Sequence, residues 1–206
     1  MVWWTEAVVP RATDWALKGR ELGETRFRAC AGLEGRVVEL GFGGGLNLRH
    51  LPAQVTAIGA VEPSDLGWRL SERRRARTDL RVDRIGLDGQ AIDAPDASYD
   101  AALCTFTLCT IPDPLAALAE VRRVVRPGGT LHFLEHGRSD VPRTAAWQRR
   151  LEPVQRRLVG GCHLTRHPGE LVERAGLELV ALETGALPGF AGPALLTYGY
   201  LGRATV

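Results

Sequence analysis

Short apolar runs alternate with amphipathic segments along most of the chain. The runs that predict strands cover residues 36–40, 55–61, 80–87, 99–106, 130–134, 177–183 and 195–200. The run 99–106 is almost wholly apolar, which is typical of a strand buried on both faces. Strands of this length, separated by helical segments, indicate βαβ units.

The segments between these runs carry helix signals. Residues 11–31 form a helical cover, Ser64 can cap a helix, and Pro114 stands where another helix begins. Further helices are predicted from Leu46 and over 170–175. The chain therefore predicts a single α/β domain of 1–206 with a Rossmann-like, doubly wound, mostly parallel sheet.

Composition narrows the functional classes. The chain has 206 residues, of which 45% are hydrophobic and 24% charged, as in an ordinary globular protein. Its net charge of +2 argues against nucleic-acid binding. Four cysteines without a CxxC pair indicate reduced thiols and a cytoplasmic location. No integral membrane segment is expected, and Trp3 and Trp4 either pack on the core or touch a bilayer.

The first predicted strand ends in a glycine-rich turn with an acidic residue in front of it. Glu39, Gly41, Gly43 and Gly45 fit the pattern ExGxGxG. A dinucleotide fingerprint starting at Gly41 requires glycine at the position of Leu46, so it is broken. The acid would repel a pyrophosphate and favours a ligand that carries an amino group and a sulfonium.

Two further carboxylates follow the next predicted strands. Glu62 ends the second strand, where a carboxylate can accept hydrogen bonds from ribose hydroxyls. Asp88 follows the third strand and is placed to accept from an adenine amine. Because ligands bind at the carboxyl ends of parallel strands, the three acids predict one nucleoside site.

These residues lie in motifs that resemble class I S-adenosylmethionine-dependent methyltransferases of the type 11 domain. The similar segments are VVELGFGGG (37–45), AVEP (60–63), LDGQAIDAPDASYDAALCTFTLC (87–109) and EVRRVVRPGGTLHFLEH (120–136). The resemblance covers about 35–135, and implies strand order 3-2-1-4-5-7-6 with strand 7 antiparallel. It also implies a helical cap at 1–34, a cofactor-binding core at 35–135 and a substrate-side segment at 136–206.

The resemblance implies S-adenosylmethionine as cofactor and S-adenosylhomocysteine as product. The cofactor-binding residues that it implies are Glu39, Gly41, Phe42, Gly43, Gly45, Asn47, Glu62, Pro63, Asp88, Gly89, Gln90, Thr105, Phe106, Thr107 and Cys109. The chain departs from the family pattern at Phe42, where a small residue is usual, and at Gln90, where many members have an acid.

The second half of the chain resembles the animal thiol S-methyltransferases in FLEH (133–136), WQRRLEPV (147–154), GGCHLTR (160–166) and TYGYL (197–201). More distantly it is similar to quinone-biosynthesis C-methyltransferases. The implied acceptor is a small molecule, and S-methylation of a thiol is the first hypothesis. Methylation of oxygen, carbon or nitrogen in a quinone, phenol or natural product stays open, as does a non-catalytic, cofactor-binding regulatory role.

A thiol acceptor must react as the thiolate, so a nearby histidine would take its proton or stabilise the anion. His136 and His163 are the candidates, whereas His132 lies within a strand and is expected to pack. Cys162 and His163 are adjacent residues of a ligand type, but no other ligand sits at zinc spacing, so no metal site is predicted. Trp147 and Phe190 either line an acceptor pocket or pack. The oligomeric state stays open.

Overall fold

A seven-stranded sheet forms the centre of the molecule in the computed structural model, which describes residues 3–189 and 196–206. Its order is β3-β2-β1-β4-β5-β7-β6. The strands are β1 (Gly35–Leu40), β2 (Val55–Val61), β3 (Arg81–Gly86), β4 (Tyr99–Thr105), β5 (Val125–His136), β6 (Glu178–Ala186) and β7 (Tyr198–Thr205). Strands β1 to β5 pair in parallel, and β7 runs antiparallel to β5 and β6. This order confirms the prediction, although position 195 of the last predicted strand lies outside the described residues.

Seven α-helices flank the sheet in the described parts of the chain. They are α1 (Val9–Ala16), α2 (Arg20–Cys30), α3 (Asp65–Leu70), α4 (Glu72–Arg75), α5 (Pro114–Val124), α6 (Pro142–Leu158) and α7 (Pro168–Arg174). A π-helical turn, Trp4–Val8, precedes α1. The Ser64 hydroxyl caps α3 by accepting from the Gly67 amide at 3.0 Å, as predicted.

Two helix predictions need correction, and one helix was not predicted. The single cover over 11–31 is two helices, because the chain turns between α1 and α2 at 17–19. The helix expected from Leu46 is wrong: only a 3-10 turn, Leu48–His50, forms there. Pro52 disfavours helical geometry at the residue before it, which limits that turn. Helix α6 was not predicted, because its arginines and exposed apolar side chains leave no clear apolar stripe.

The core lies on both faces of the sheet. Val37 packs with the α2 side and Val38 with the α5 side, because successive strand residues point to opposite faces. Both are fully buried, and burying a side chain of this kind contributes about 1.5–3 kcal/mol. Packing on both faces of the sheet fixes the ends of the strands. The loops that follow the parallel strands β1, β2, β4 and β5 therefore meet at the carboxyl edge of the sheet. No helix in the described residues is long and apolar enough to cross a membrane.

Candidate active site

A cavity of about 1080 Å³ opens at the carboxyl ends of β1, β2, β4 and β5. The wall is extended by the loop after β3, by α1 and the π-helical turn before it, and by the end of α6 with the loop that follows it. Sites for one small ligand usually enclose about 300–1,000 Å³, so this cavity is at the large end of that range.

Most of the predicted site residues meet in this cavity. Those that line it are Gly41, Phe42, Gly43, Asn47, Glu62, Pro63, Asp88, Gly89, Gln90, Thr105, Phe106, Thr107, Cys109 and His136. Glu39, Gly45 and His163 are not among the lining residues. The fold therefore brings most of the predicted site residues together, and Glu39, Gly45 and His163 stay outside the cavity lining.

The three patterned glycines serve different purposes. Gly41 (φ +68°) lies so close to Thr107 that an added Cβ would stand 1.9 Å from its hydroxyl oxygen. Gly45 (φ +72°) packs against Phe42, where a Cβ would approach the ring to 3.1 Å. Gly43 (φ +54°) faces open space, its nearest neighbour being a backbone oxygen 3.9 Å away. The middle glycine is therefore the one whose backbone a ligand can approach.

The carboxylate of Glu62 is fixed at the cavity wall. Its Oε2 accepts from the Gly43 amide at 2.5 Å, and its Oε1 accepts from the Ser64 amide at 2.7 Å. The side chain is buried, and burial raises its pKa, although the two backbone amides act in the opposite direction. An oriented carboxylate of this kind can accept further hydrogen bonds from two adjacent hydroxyl groups.

A buried polar network supports the wall behind the glycine loop. The Asn47 amide donates to Glu39 Oε1 at 2.7 Å and to the Thr105 hydroxyl at 2.9 Å. Arg26 donates to Asn47 Oδ1 at 2.7 Å. Burial raises the pKa of Glu39 to about 8 and lowers that of Arg26 to about 10. Glu39 therefore holds Asn47 in place rather than lining the cavity itself.

Sequence reasoning missed Arg26. The signal was present, since 22, 26, 29 and 30 share the buried face of α2, and an arginine at such a position needs buried partners.

Gln90, which departs from the family pattern, organises the loop after β3. Its backbone and side-chain amides donate to Asp88 Oδ1 at 2.9 and 3.0 Å, and these bonds lower the pKa of Asp88. Its side-chain oxygen accepts from the Asp113 amide at 2.8 Å. Gln90 thus holds the exposed Asp88 carboxylate at the cavity rim. The other departure, Phe42, packs against Trp68 with ring centroids 5.6 Å apart.

The N-terminal helical segment closes over the glycine loop. Asp14 of α1 pairs with Arg74 at 2.7 Å, and Arg74 also donates to the Gly44 carbonyl at 2.6 Å. Trp4 donates from its indole to the Leu158 carbonyl at the end of α6, at 2.9 Å. One side of the cavity is therefore formed by segments that the ion pair and this hydrogen bond hold together.

Cys109, His136 and Cys162 form a buried group at the cavity wall, here named the Cys-His-Cys cluster. Their exposed fractions are 3%, 4% and 7%. His136 Nδ1 lies 3.5 Å from Cys162 Sγ, and the donor atoms of all three residues lie within 4.8 Å of one another. A hydrogen bond from Cys109 lowers the pKa of Cys162, while that bond and burial raise the pKa of Cys109.

Glu135 positions the loop that carries Cys109, and sequence reasoning missed this role. Its fully buried carboxylate accepts from the backbone amides of Thr107, Leu108 and Cys109 at 2.8, 3.0 and 3.2 Å. Burial raises its pKa. The sequence signal that could have revealed this role is an acidic residue within a buried strand, next to His136.

Other candidates from the sequence lie away from the cavity. His163 Nδ1 pairs with Glu152 at 2.9 Å, so its ring is engaged outside the cavity wall. His132 is buried and bonds the Ala29 carbonyl at 2.9 Å, which agrees with the predicted packing role. Trp147 is 55% exposed and does not line the cavity. Phe190 lies outside the described residues.

Comparisons with known proteins agree with this geometry. Residues 38–133 match the family model described as a methyltransferase domain. Thiol S-methyltransferase TMT1B of Homo sapiens is 33% identical over 81% of this chain and 70% of its own length. TMT1A of the same species is 31% identical over 82% and 70%. The chain covers 62% of the length of the Rattus norvegicus TMT1B, at 33% identity over 71% of this chain.

The fold has close counterparts among solved structures. A SAM-dependent methyltransferase from Thermotoga maritima superposes with a TM-score of 0.72 at 22% identity, covering 100% of this chain and 99% of the other. The sheet order, the glycine loop and these relatives agree with one another. The chain belongs to the class I S-adenosylmethionine-dependent methyltransferase family and is related to the thiol S-methyltransferases.

Proposed function

We propose that this protein transfers a methyl group from S-adenosylmethionine to the sulfur of a small thiol. One observation carries the proposal: a single cavity extends from Glu62 and Gly43 to the Cys-His-Cys cluster. The first end has the groups that suit a ribose, and the second has those that suit a thiolate. The thiol S-methyltransferase relatives support the same acceptor class.

The cofactor end fits a positively charged nucleoside. The Glu62 carboxylate would bind the two ribose hydroxyls, because both its oxygens are already oriented by backbone amides. The absence of a side chain at Gly43 would let the ligand contact the main chain directly. Asp88 at the rim would accept a hydrogen bond from the adenine amine. When bound, S-adenosylmethionine supplies an electrophilic methyl group on a sulfonium.

The acceptor end must present a thiolate in line with that methyl group. A free thiol has a pKa near 8.5, so only a small part is ionised at neutral pH. His136 is the lining histidine of the cavity, and we assign it to stabilise the acceptor sulfur as the anion. The walls formed by α1 and α6 would hold the acceptor aligned, which contributes to the rate through positioning. In this scheme 35–135 provide the cofactor-binding residues as well as Cys109, 136–206 shape the acceptor side, and the cap at 1–34 closes over the cavity.

The experiment is a methyl-transfer assay on the purified chain with a matched thiol and phenol of the same carbon skeleton. S-Adenosylhomocysteine release is measured for wild type, His136→Ala and the control His50→Ala. His50 lies outside the cavity lining, so its variant should turn over like wild type. We expect the thiol to react, and His136→Ala to lower kcat by about a hundredfold or more. Its affinity for S-adenosylhomocysteine should stay within about twofold of wild type, because His136 is placed at the acceptor end.

Each other outcome removes part of the proposal. Methylation of the phenol without the thiol would make the acceptor class wrong. Tight cofactor binding without turnover of any acceptor would favour a non-catalytic role. Unchanged turnover in His136→Ala would remove that residue from the reaction.

A further inference from the structure

We propose that Cys109, His136 and Cys162 bind one zinc ion, with a fourth coordination position open to the cavity. Nothing in the local sequence indicated such a site, since the three residues lie in the loop after β4, at the end of β5 and in the loop after α6. The metal site stands on its own geometry. Its use in catalysis rests on the proposed thiol methylation.

The spacing of the donor atoms suits tetrahedral coordination. With Zn–S about 2.3 Å and Zn–N about 2.0–2.1 Å, a sulfur and a nitrogen ligand lie about 3.5 Å apart, and two sulfurs lie about 3.8 Å apart. His136 Nδ1 and Cys162 Sγ are 3.5 Å apart, and no pair in the cluster exceeds 4.8 Å. Side-chain shifts of about 1 Å or less therefore complete the three-ligand site.

The donor set and its surroundings suit zinc as well. Two cysteines and one histidine, with one position left for water or substrate, form a known catalytic zinc arrangement. All three side chains are more than nine-tenths buried, yet all three line the cavity. Cys30 and Cys104, the other two buried cysteines, do not line this cavity.

The open position would bind the sulfur of the acceptor. A thiol that coordinates zinc loses its proton, which passes to solvent, and it then reacts as the thiolate without a separate base. The new bond joins the acceptor sulfur to the methyl carbon, and the bond between that carbon and the sulfonium sulfur breaks. The electron pair of the broken bond stays on the departing sulfur, which leaves as a neutral thioether. His136 would thus stabilise the thiolate through the metal.

The test measures metal binding before any activity. Protein freed of metal with a chelator, then dialysed and kept reduced with a phosphine, is titrated calorimetrically with Zn²⁺. Loading with Co²⁺ reports tetrahedral thiolate coordination in its visible absorption. We expect one Zn²⁺ per chain, and an affinity at least tenfold lower in Cys109→Ser, His136→Ala and Cys162→Ser. The control is Cys104→Ser, which removes a buried thiol but keeps a donor to Glu135.

If wild type does not bind Zn²⁺ stoichiometrically, the inference is overturned. It is also overturned if the three ligand variants bind Zn²⁺ with the same affinity as wild type. Binding of S-adenosylhomocysteine by each variant checks that it has folded. Adding a small thiol to the Co²⁺-loaded protein should shift the absorption, and an unchanged spectrum would contradict the open position.

Two results separate this inference from the proposed function. Thiol methylation that is equally fast in metal-free and zinc-loaded protein overturns the catalytic use of zinc and leaves S-methylation standing. Stoichiometric zinc in a protein that methylates no thiol upholds the metal site and removes the proposed acceptor.

Discussion

The carboxylate of Glu62 accepts a hydrogen bond from the backbone amide of Gly43, with 2.5 Å between oxygen and nitrogen. The register of the sheet explains this contact, because Leu40 pairs with Val61 and the two loops leave neighbouring strands side by side. An acid after β2 and a glycine after β1 thereby form one wall of the cavity. This wall, to which we assign the cofactor, is a consequence of parallel pairing between the first two strands.

Alanine at Gly43 should weaken cofactor binding much more than it weakens the fold. The added methyl group meets nothing within the protein at distances below 3.9 Å, but in the proposed site it occupies space that the cofactor needs. A positive φ costs alanine about 1–2 kcal/mol. Gly128→Ala is the control, since Gly128 has φ +76° and an equally open Cβ position outside the cavity lining. Both variants should lose similar stability in denaturant melts, and only Gly43→Ala should lose affinity for S-adenosylhomocysteine, by at least tenfold. Equal affinities would place the ligand elsewhere.

The Asp14–Arg74 ion pair should matter for binding rather than for stability. Asp14→Asn removes the charge that holds α1 to the glycine loop, so the KM for S-adenosylmethionine should rise about fivefold, equivalent to about 1 kcal/mol. The control Asp96→Asn breaks the more exposed pair with Arg123 and should leave KM unchanged. Steady-state kinetics of the two variants decide the matter, and a similar KM in both would show that closure by α1 contributes nothing to cofactor binding.

Stability should fall with rising pH because of Glu39. Burial raises the pKa of this carboxyl to about 8, whereas an unfolded glutamate has a pKa near 4.3. The folded chain therefore keeps a proton that the unfolded chain releases, and this stabilisation is present below about pH 4.3 and lost as pH rises through about 8. Between about pH 5 and about pH 8.5, the decrease in the free energy of unfolding should be smaller in Glu39→Gln than in wild type, by about 2–5 kcal/mol.

The matched control for that experiment is Glu120→Gln. The pKa of Glu120 is lowered by Arg123, so its carboxylate is ionised throughout this range and its loss should not change the slope. Urea denaturation at several pH values measures both variants. Parallel curves for wild type and Glu39→Gln would contradict a protonated Glu39 in the folded state.

The strands could be predicted because each depends on residues that are close together in the sequence. Val55–Val61 begins and ends as predicted, since a β-branched run closes at an acid and a proline, and Ser64 caps the next helix through its own hydroxyl. The strand order followed from the resemblance. Helix α6 was not predictable from periodicity, because Trp147 and other apolar side chains on it are exposed and give no single stripe.

The acceptor end depends on contacts between distant segments, which spacing does not encode. His136 was predicted as a candidate from its strand end, but its neighbour Cys162 is 26 residues away and follows the helix that was missed. Cys109 reaches them only because Glu135 holds its loop through three backbone amides. His163, one residue from Cys162, faces Glu152 instead. The adjacent residues Cys162 and His163 therefore have different surroundings, and the path of the loop after α6 determines which of them faces the cavity.

The most direct test of the cofactor site is calorimetric titration of the purified chain with S-adenosylhomocysteine, for wild type, Glu62→Gln and Glu120→Gln. Both substitutions replace a carboxylate that accepts from a backbone amide, but only Glu62 lines the cavity. We predict micromolar binding by wild type and Glu120→Gln, and at least a tenfold weaker affinity in Glu62→Gln. Absence of binding by wild type, or equal affinity in all three proteins, would contradict the assignment of this cavity to the cofactor.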